Sequence, residues 1–443
     1  MVATSFDMVF HDARLRGRDG RCDIGVSGGR ISALGASLAD GAVTHDLGGR
    51  LVLPGFVDSH IHLDKSCLLG RCNHGAGGLP GAIAEVAALK RRFTVEDVYA
   101  RGARTIEKAI LQGTMRMRTH VEIDPRIGLR SFEAVRRLKA DYAFALDLSI
   151  CVFPQEGMTN DPGTEALLLR AIAEGADLLG GCPYTDTDPH AQIARLFSIA
   201  VEHDLDLDFH LDFDLDAGWT HLWEVCRQTE ANGWGGRVAA GHVTKLSAMD
   251  DATFVVHAQR LAKAGVAVTA LPATDLYLMG RDRSFDVPRG VAPVHRLAEL
   301  GVAASIATNN VLNPFTPFGD CSLLRMASLY ANVAQIGPEG FDACIDLVTD
   351  GPARLMRLTD YGIAVGNPAD LVVLDAADAQ SAIAEIAAPL MGFKDGRPTF
   401  VRPAARLLRP DDSASALPSL CPLDTNSDWP DPKWYAPPVQ LAG

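Results

Sequence analysis

Apolar and polar positions follow three successive patterns along the chain. Up to about residue 55, short apolar runs at 8–10, 22–26, 30–34 and 51–53 stand between glycine-rich breaks. Runs this short, bounded by turn residues, predict strands of a small sheet and not a complete domain. From about residue 56, strand-like runs at 56–60, 115–120, 144–150, 176–180, 205–210, 237–242, 265–270 and 301–306 alternate with longer stretches. Among those stretches, 94–112, 163–174, 189–203, 248–264 and 292–300 carry helical spacing. Strands alternating with helices in this way predict an α/β fold, a closed (β/α)8 TIM barrel. An open doubly wound sheet is the alternative, but no G-x-G-x-x-G follows a strand, which weakens its dinucleotide-binding form.

After about residue 355 the strand pattern returns. Gly366-Asn367-Pro368-Ala369-Asp370 reads as a turn before Leu371-Val372-Val373-Leu374, and Gly396-Arg397 as a turn before Thr399-Phe400-Val401. Pairing the two strand-rich ends predicts one discontinuous β-sandwich, 1–55 with 356–410, attached to a barrel of 56–355. Residues 411–443, rich in Pro, Asp and Ser, predict an extended tail.

Composition narrows the function classes. The 443 residues are 47% hydrophobic and 22% charged, which excludes a disordered or collagen-like chain. Mean hydropathy is +0.07, and no apolar run reaches the roughly 18 residues of a membrane span. The net charge of −14 gives no phosphate-binding field, so nucleic acid and membrane are not expected partners; a small molecule is. Nine cysteines without a C-x-x-C argue against a disulfide framework or a thiolate zinc site. Residues 1–7 lack a basic segment leading into an apolar core, so a cytoplasmic location is expected.

The polar ends of the predicted strands carry the chemistry, because a barrel places its active site at the C-terminal ends of its strands. His60 and His62 share one face of the first strand, and His120, His210 and His242 end the second, fifth and sixth. Five of the thirteen histidines thus converge on one mouth. Neutral imidazoles brought together there would hold zinc or a similar divalent metal.

These residues sit in stretches that resemble the amidohydrolase superfamily, in its cytosine-deaminase-like branch. The matching stretches are Leu53-Pro54-Gly55-Phe56-Val57-Asp58-Ser59-His60-Ile61-His62-Leu63-Asp64-Lys65, Arg118-Thr119-His120-Val121, Phe153-Pro154-Gln155-Glu156-Gly157, Gly241-His242-Val243-Thr244 and Pro314-Phe315-Thr316-Pro317-Phe318-Gly319. The run Val365 to Leu374 resembles the closing sheet of that family, and the likeness spans about residues 5–405. It implies that His60, His62 and His210 hold one divalent metal, zinc first and iron or manganese as alternatives. It implies that His242 contacts the activated water or the substrate oxygen, and that Gln155 binds the substrate ring. A homo-oligomer is compatible with it.

Two positions depart from the family pattern. The aspartate expected at the end of the eighth strand is Asn309, whose amide carries no charge and is no general base. The glutamate expected in His-x-Asp-Glu is Phe213, with Asp212 and Asp214 as neighbours. Asp214 could replace it only if a loop redirects its side chain. Loss of both acids argues against cytosine as the substrate. It leaves a metal on three histidines with another base, a substrate needing no ring protonation, or a binding protein without catalysis. The expected function is a metal-dependent hydrolase of a non-peptide C–N bond in a small cyclic nitrogenous compound, with Asn309 and Gln155 positioning it. The alternative is a non-catalytic ligand-binding protein. Lys65 is expected to pair with Asp64 or a neighbouring acid, Glu122 and Asp124 to support a histidine, and Asp275 to brace a turn or contact substrate.

Overall fold

The computed structural model describes residues 6–72, 78–405 and 407; the predicted 411–443 tail lies outside them. Glycine-rich turns break the N-terminal region into β1 (Met8–Leu15), β2 (Cys22–Ser27), β3 (Arg30–Gly35), β4 (Val43–Asp46) and β5 (Leu51–Pro54). The barrel strands follow: β6 (Phe56–Ile61), β7 (Thr114–Glu122), β8 (Asp147–Phe153), β9 (Leu178–Gly181), β10 (Asp206–Leu211), β11 (Val238–His242), β12 (Val266–Ala270) and β13 (Ala304–Ile306). The chain then adds β14 (Leu371–Leu374), β15 (Pro389–Lys394) and β16 (Arg397–Val401).

The two ends of the chain share one sheet, in the order β16-β15-β14-β5-β1-β2-β3, with β4 on β1. Val372 of β14 lies opposite Leu53 of β5, so the C-terminal segment joins the N-terminal one immediately before the barrel begins. Phe10, Ile24, Val26, Leu371 and Phe393 give this sheet its own buried core.

The eight barrel strands run parallel in chain order, from β6 to β13. They are TIM-barrel strands, and nearly all their side chains are buried, which is why they read as continuous apolar runs and not as alternations. β9 and β10 approach closely because Gly180 and Gly181 have no side chains. A Cβ on Gly180 would stand 2.7 Å from the Asp208 carbonyl oxygen, and one on Gly181 would strike the Phe209 ring. The barrel closes between β6 and the residues after β13. The Asn309 N–H donates to the His60 carbonyl at 2.8 Å, and the His62 N–H donates to the Asn309 carbonyl at 2.9 Å.

The third barrel strand begins three residues later than its sequence pattern predicts. A helix over Arg130–Asp141, absent from the expected set, runs into a turn in which the Ala145 and Leu146 N–H groups both donate to the Tyr142 carbonyl at 3.0 Å. Phe144, which supplied part of the strand signal, is exposed. Among the described residues, no helix is long and apolar enough to cross a membrane.

Candidate active site

The five strand-end histidines all reach one buried place at the mouth of the barrel. His60 lies on β6, His62 just beyond it, His120 on β7, His210 on β10 and His242 at the end of β11, each at most 2% exposed. His210 Nε2 lies 3.2 Å from His60 Nε2 and 3.0 Å from His62 Nε2. Tetrahedral zinc with bonds of about 2.0–2.1 Å holds its ligand nitrogens roughly 3.3 Å apart, so these three atoms suit one divalent ion. The fit is also chemical. Burial pushes all three imidazoles well below the usual histidine range, the Lys65 ammonium adding to it at His62 and His210, and their lone pairs are therefore free. Phe153 stacks on His210 at 4.5 Å and His120 on His60 at 3.9 Å, which fixes the rings.

His60, His120 and Asp208 form a second cluster with metal-ligating atoms. Arg118 occupies it already, donating to Asp208 Oδ2 at 2.7 Å, and a guanidinium beside a carboxylate disfavours a further cation. The group of His60, His62 and His210 is the better candidate for holding a metal.

Asn309 lies at the seam beside this centre, fully buried, and neither head atom of its amide has a hydrogen-bond partner. Its φ of +61° is left-handed, a conformation that Asn, Asp and His tolerate best among residues with side chains. Asp212 (φ +48°) and His242 (φ +70°) share it, so three strand ends turn away sharply where polar residues stand.

His242 has a partner that the sequence motifs did not assign to it. Its Nδ1 lies 2.6 Å from Asp275 Oδ1, and the Leu271 N–H donates to Asp275 Oδ2 at 3.0 Å. Burial raises the Asp275 carboxyl above its ordinary value, and His242 offsets only part of that rise. Phe213 stacks on the face of the His242 imidazole, ring centroids 3.6 Å apart. Its own position therefore supplies an apolar face where the family pattern has an acid. Neither neighbour replaces that acid. Asp212 accepts the His221 N–H at 3.0 Å and the Thr220 hydroxyl, while Asp214 pairs with Lys245 at 3.0 Å and is partly exposed. The signal that would have identified Asp275 was its place five residues past the seventh strand, on the helix Pro272–Leu278.

On β7 and the loop after β8, buried charge is paired. Lys65 Nζ donates to Glu122 Oε1 at 2.7 Å and to Gln155 Oε1 at 3.2 Å. Lys90, at the end of the helix Gly78–Lys90, donates to Glu122 Oε2 at 3.0 Å and pairs with Asp124 and Glu156. Glu122 and Asp124 thus serve lysines, where the sequence reading gave them a histidine. Lys65 takes Glu122 as its acid, and Asp64 instead accepts the Glu122 N–H at 2.9 Å. Burial alone would raise the Glu122 carboxyl, but Lys65 and Lys90 outweigh it and hold it at about 2. Gln155 is buried beside Cys182, its Nε2 3.3 Å from the thiol sulfur. Phe213, Leu278, Met279 and Phe315 belong to one apolar cluster of the same region.

Residues 43–134 and 96–400 match the model of the Amidohydrolase family. Pterin deaminase of Rhizobium rhizogenes is 32% identical over 338 residues, covering 75% of this chain and 76% of that protein. N-isopropylammelide isopropyl amidohydrolase of a Pseudomonas species is 27% identical, over 89% of this chain and 98% of the relative. Among solved structures, 5-methylcytosine deaminase from Klebsiella pneumoniae, liganded with 5-fluorocytosine, superposes with a TM-score of 0.87 at 29% identity. That match covers 91% of this chain and all of the other.

Proposed function

The chain belongs to the amidohydrolase family and is a hydrolase of carbon–nitrogen bonds other than peptide bonds; from that premise we propose that it hydrolyses a C–N bond of a small cyclic nitrogenous compound at one divalent metal, zinc first, held by His60, His62 and His210. A cytoplasmic enzyme, able to assemble as a homo-oligomer, fits the same reading.

When bound, the metal supplies a more acidic water and polarises the carbon under attack. The remaining steps belong to side chains of this chain. The Asp275 carboxylate, 2.6 Å from His242 Nδ1, would accept the proton that this nitrogen carries. The imidazole is thereby oriented, as a carboxylate orients a catalytic histidine elsewhere. His242 lies with its ring centroid 5.8 Å from that of His210 and 6.1 Å from that of His60, near enough to receive the proton of an attacking water. It passes that proton to the departing nitrogen, and Phe213 keeps bulk water from the face it covers. Asn309 offers an amide to the substrate or its oxygen, and Gln155 steadies the ring.

The observation that carries this reading is the meeting of three neutral Nε2 atoms beside a His–Asp pair. The test is elemental analysis of the purified chain before and after chelation and zinc reloading, followed by ammonia and amine release from ring amides and aminated azines. About one equivalent of metal and turnover that depends on it are expected. A chain that holds no metal under any loading condition sinks the reading.

A further inference from the structure

A cavity of about 400 Å³ lies between the helix Pro272–Leu278 and the helix Leu323–Ala334, and none of the five strand-end histidines lines it. Ala273, Leu276 and Tyr277 form one wall, spaced i, i+3 and i+4 so that they share a helix face. Met326 and Leu329 line it from the second helix. Asp275 and Leu278 serve the opposite side of the first helix: Asp275 meets His242, and Leu278 joins the apolar cluster of Phe213. The Thr274 hydroxyl, 2.6 Å from that of Thr316, pins this helix to the loop after β13. The helix is thus a partition, with the His242–Asp275 pair on one side and the cavity on the other.

The polar floor of the cavity has a fixed orientation. Asn313 Oδ1 accepts the Phe315 and Thr316 N–H groups at 3.0 and 3.1 Å, so the Asn313 amide nitrogen is the donor to Asn310 Oδ1 at 2.7 Å. Asn310 lines the cavity and is only 4% exposed, and its Nδ2 has no hydrogen-bond partner among the described residues. A buried, unpaired amide nitrogen asks for an acceptor. The other polar lining brings no net charge. Arg325 is held by Asp320, with Nε and Nη2 on one carboxylate oxygen at 3.0 and 2.8 Å. Burial pushes the Cys321 thiol well up, so it keeps its proton. Phe318, 60% exposed, meets Tyr277 edge to face at 5.8 Å and gives the cavity an aromatic rim.

We infer that this cavity is a second binding site, for a small, neutral, planar and mostly apolar molecule that presents a carbonyl oxygen to Asn310 Nδ2. Its volume falls in the range of small-ligand pockets, whose walls are apolar and whose few polar groups set orientation. A ligand without an acceptor displaces water from Nδ2 and leaves it unpaired, which lowers affinity. A flat protein surface would meet Phe318 and leave the Asn310 amide unserved. The site is independent of the hydrolase reading, because no lining residue is one assigned to the metal or the reaction.

The test uses the full purified chain and two probes of one shape: acetophenone, and α-methylstyrene, in which a methylene group replaces the carbonyl oxygen. Crystals soaked with 4′-bromoacetophenone are expected to show the anomalous signal of bromine between the two helices. In ligand-observed NMR titration, acetophenone is expected to bind about tenfold or more tightly than α-methylstyrene. Asn310→Asp keeps an oxygen for Asn313 and the shape of the amide. It should weaken acetophenone about tenfold or more and leave α-methylstyrene unchanged. Ala273→Phe fills the cavity from its half-buried wall and should abolish binding of both probes, so it answers the question if Asn310→Asp fails to fold. Bromine absent from the cavity, equal affinity for the two probes, or wild-type acetophenone affinity in either variant each overturns the inference.

Discussion

The histidine centre on β6 and β10 and the charged cluster around Glu122 are equally buried, yet they balance their polar groups in opposite ways. In the cluster, Lys65 and Lys90 share Glu122, and Asp124 and Glu156 complete the pairing of Lys90. In the centre, the Nδ1 atoms of His60, His62 and His210 and both head atoms of Asn309 have no partner. Folded chains rarely leave buried polar atoms unpaired without a use for them. The paired region is scaffold and fixed field, and in the other the three facing Nε2 atoms and the unpaired Asn309 amide suit a group from outside the chain.

The strongest way to break that contrast is His60→Ala. It should take metal content from about one equivalent to background and hydrolysis with it, read by elemental analysis and amine release. Glu122→Gln should leave the metal in place; metal loss there would show that the cluster also holds the centre. The next effect in size is on rate. His242→Ala is expected to lower kcat about 10²–10⁴-fold with metal retained. Asp275→Asn should lower kcat less, with KM little changed, because it acts through His242; unchanged kcat in either variant removes the pair from the mechanism.

A third prediction concerns stability. Glu122→Gln breaks a buried pair and should cost about 3–5 kcal/mol in urea unfolding. The pH dependence has a definite sign. The Glu122 carboxyl is held at about 2 in the folded chain against an ordinary glutamate value of 4.5. Its stabilisation is therefore present above about 4.5 and is lost as pH falls towards 2. The gap between wild type and variant should narrow as pH drops below about 4.5, and a gap that stays constant would mean Glu122 is not ionised by its lysines. The smallest effect is expected from Asp214→Asn. This half-exposed partner of Lys245 should change stability by less than about 1 kcal/mol and leave kcat unchanged. A large rate loss would make it the missing proton carrier and spoil the comparison.

Much of this was legible in the sequence because it rests on local pattern. Fully buried parallel strands write themselves as apolar runs, and the histidines fall at their ends, so the barrel and the convergence of His60, His62, His210 and His242 can be read directly. What escaped depended on contacts between distant segments. Asp275 reaches His242 across 33 residues, and Glu122 takes Lys65 and Lys90 across 57 and 32 residues, with no sequence pattern linking them. The third strand slipped because Phe144 is apolar but exposed, and hydropathy cannot separate a turn residue of that kind from a strand residue. Phe213 was read as a loss; its stacking on His242 gives the substitution a place in the architecture.

The hydrogen bonds that close the barrel have a consequence for its breathing. His60, Asn309 and His62 are stitched main chain to main chain, and the same residues present the side chains of the centre. The clasp of the cylinder and its reactive point are one object. A fluctuation that unfastens this seam would displace His60, His62 and Asn309 together while every other strand remains in place, and an ion held by the two imidazoles and His210 would tether the β6 side of the join to β10. The amide protons of Asn309 and His62 are accordingly local reporters of loading: their exchange with deuterium should slow on metal uptake, while amides in β1 and β2 keep their pace.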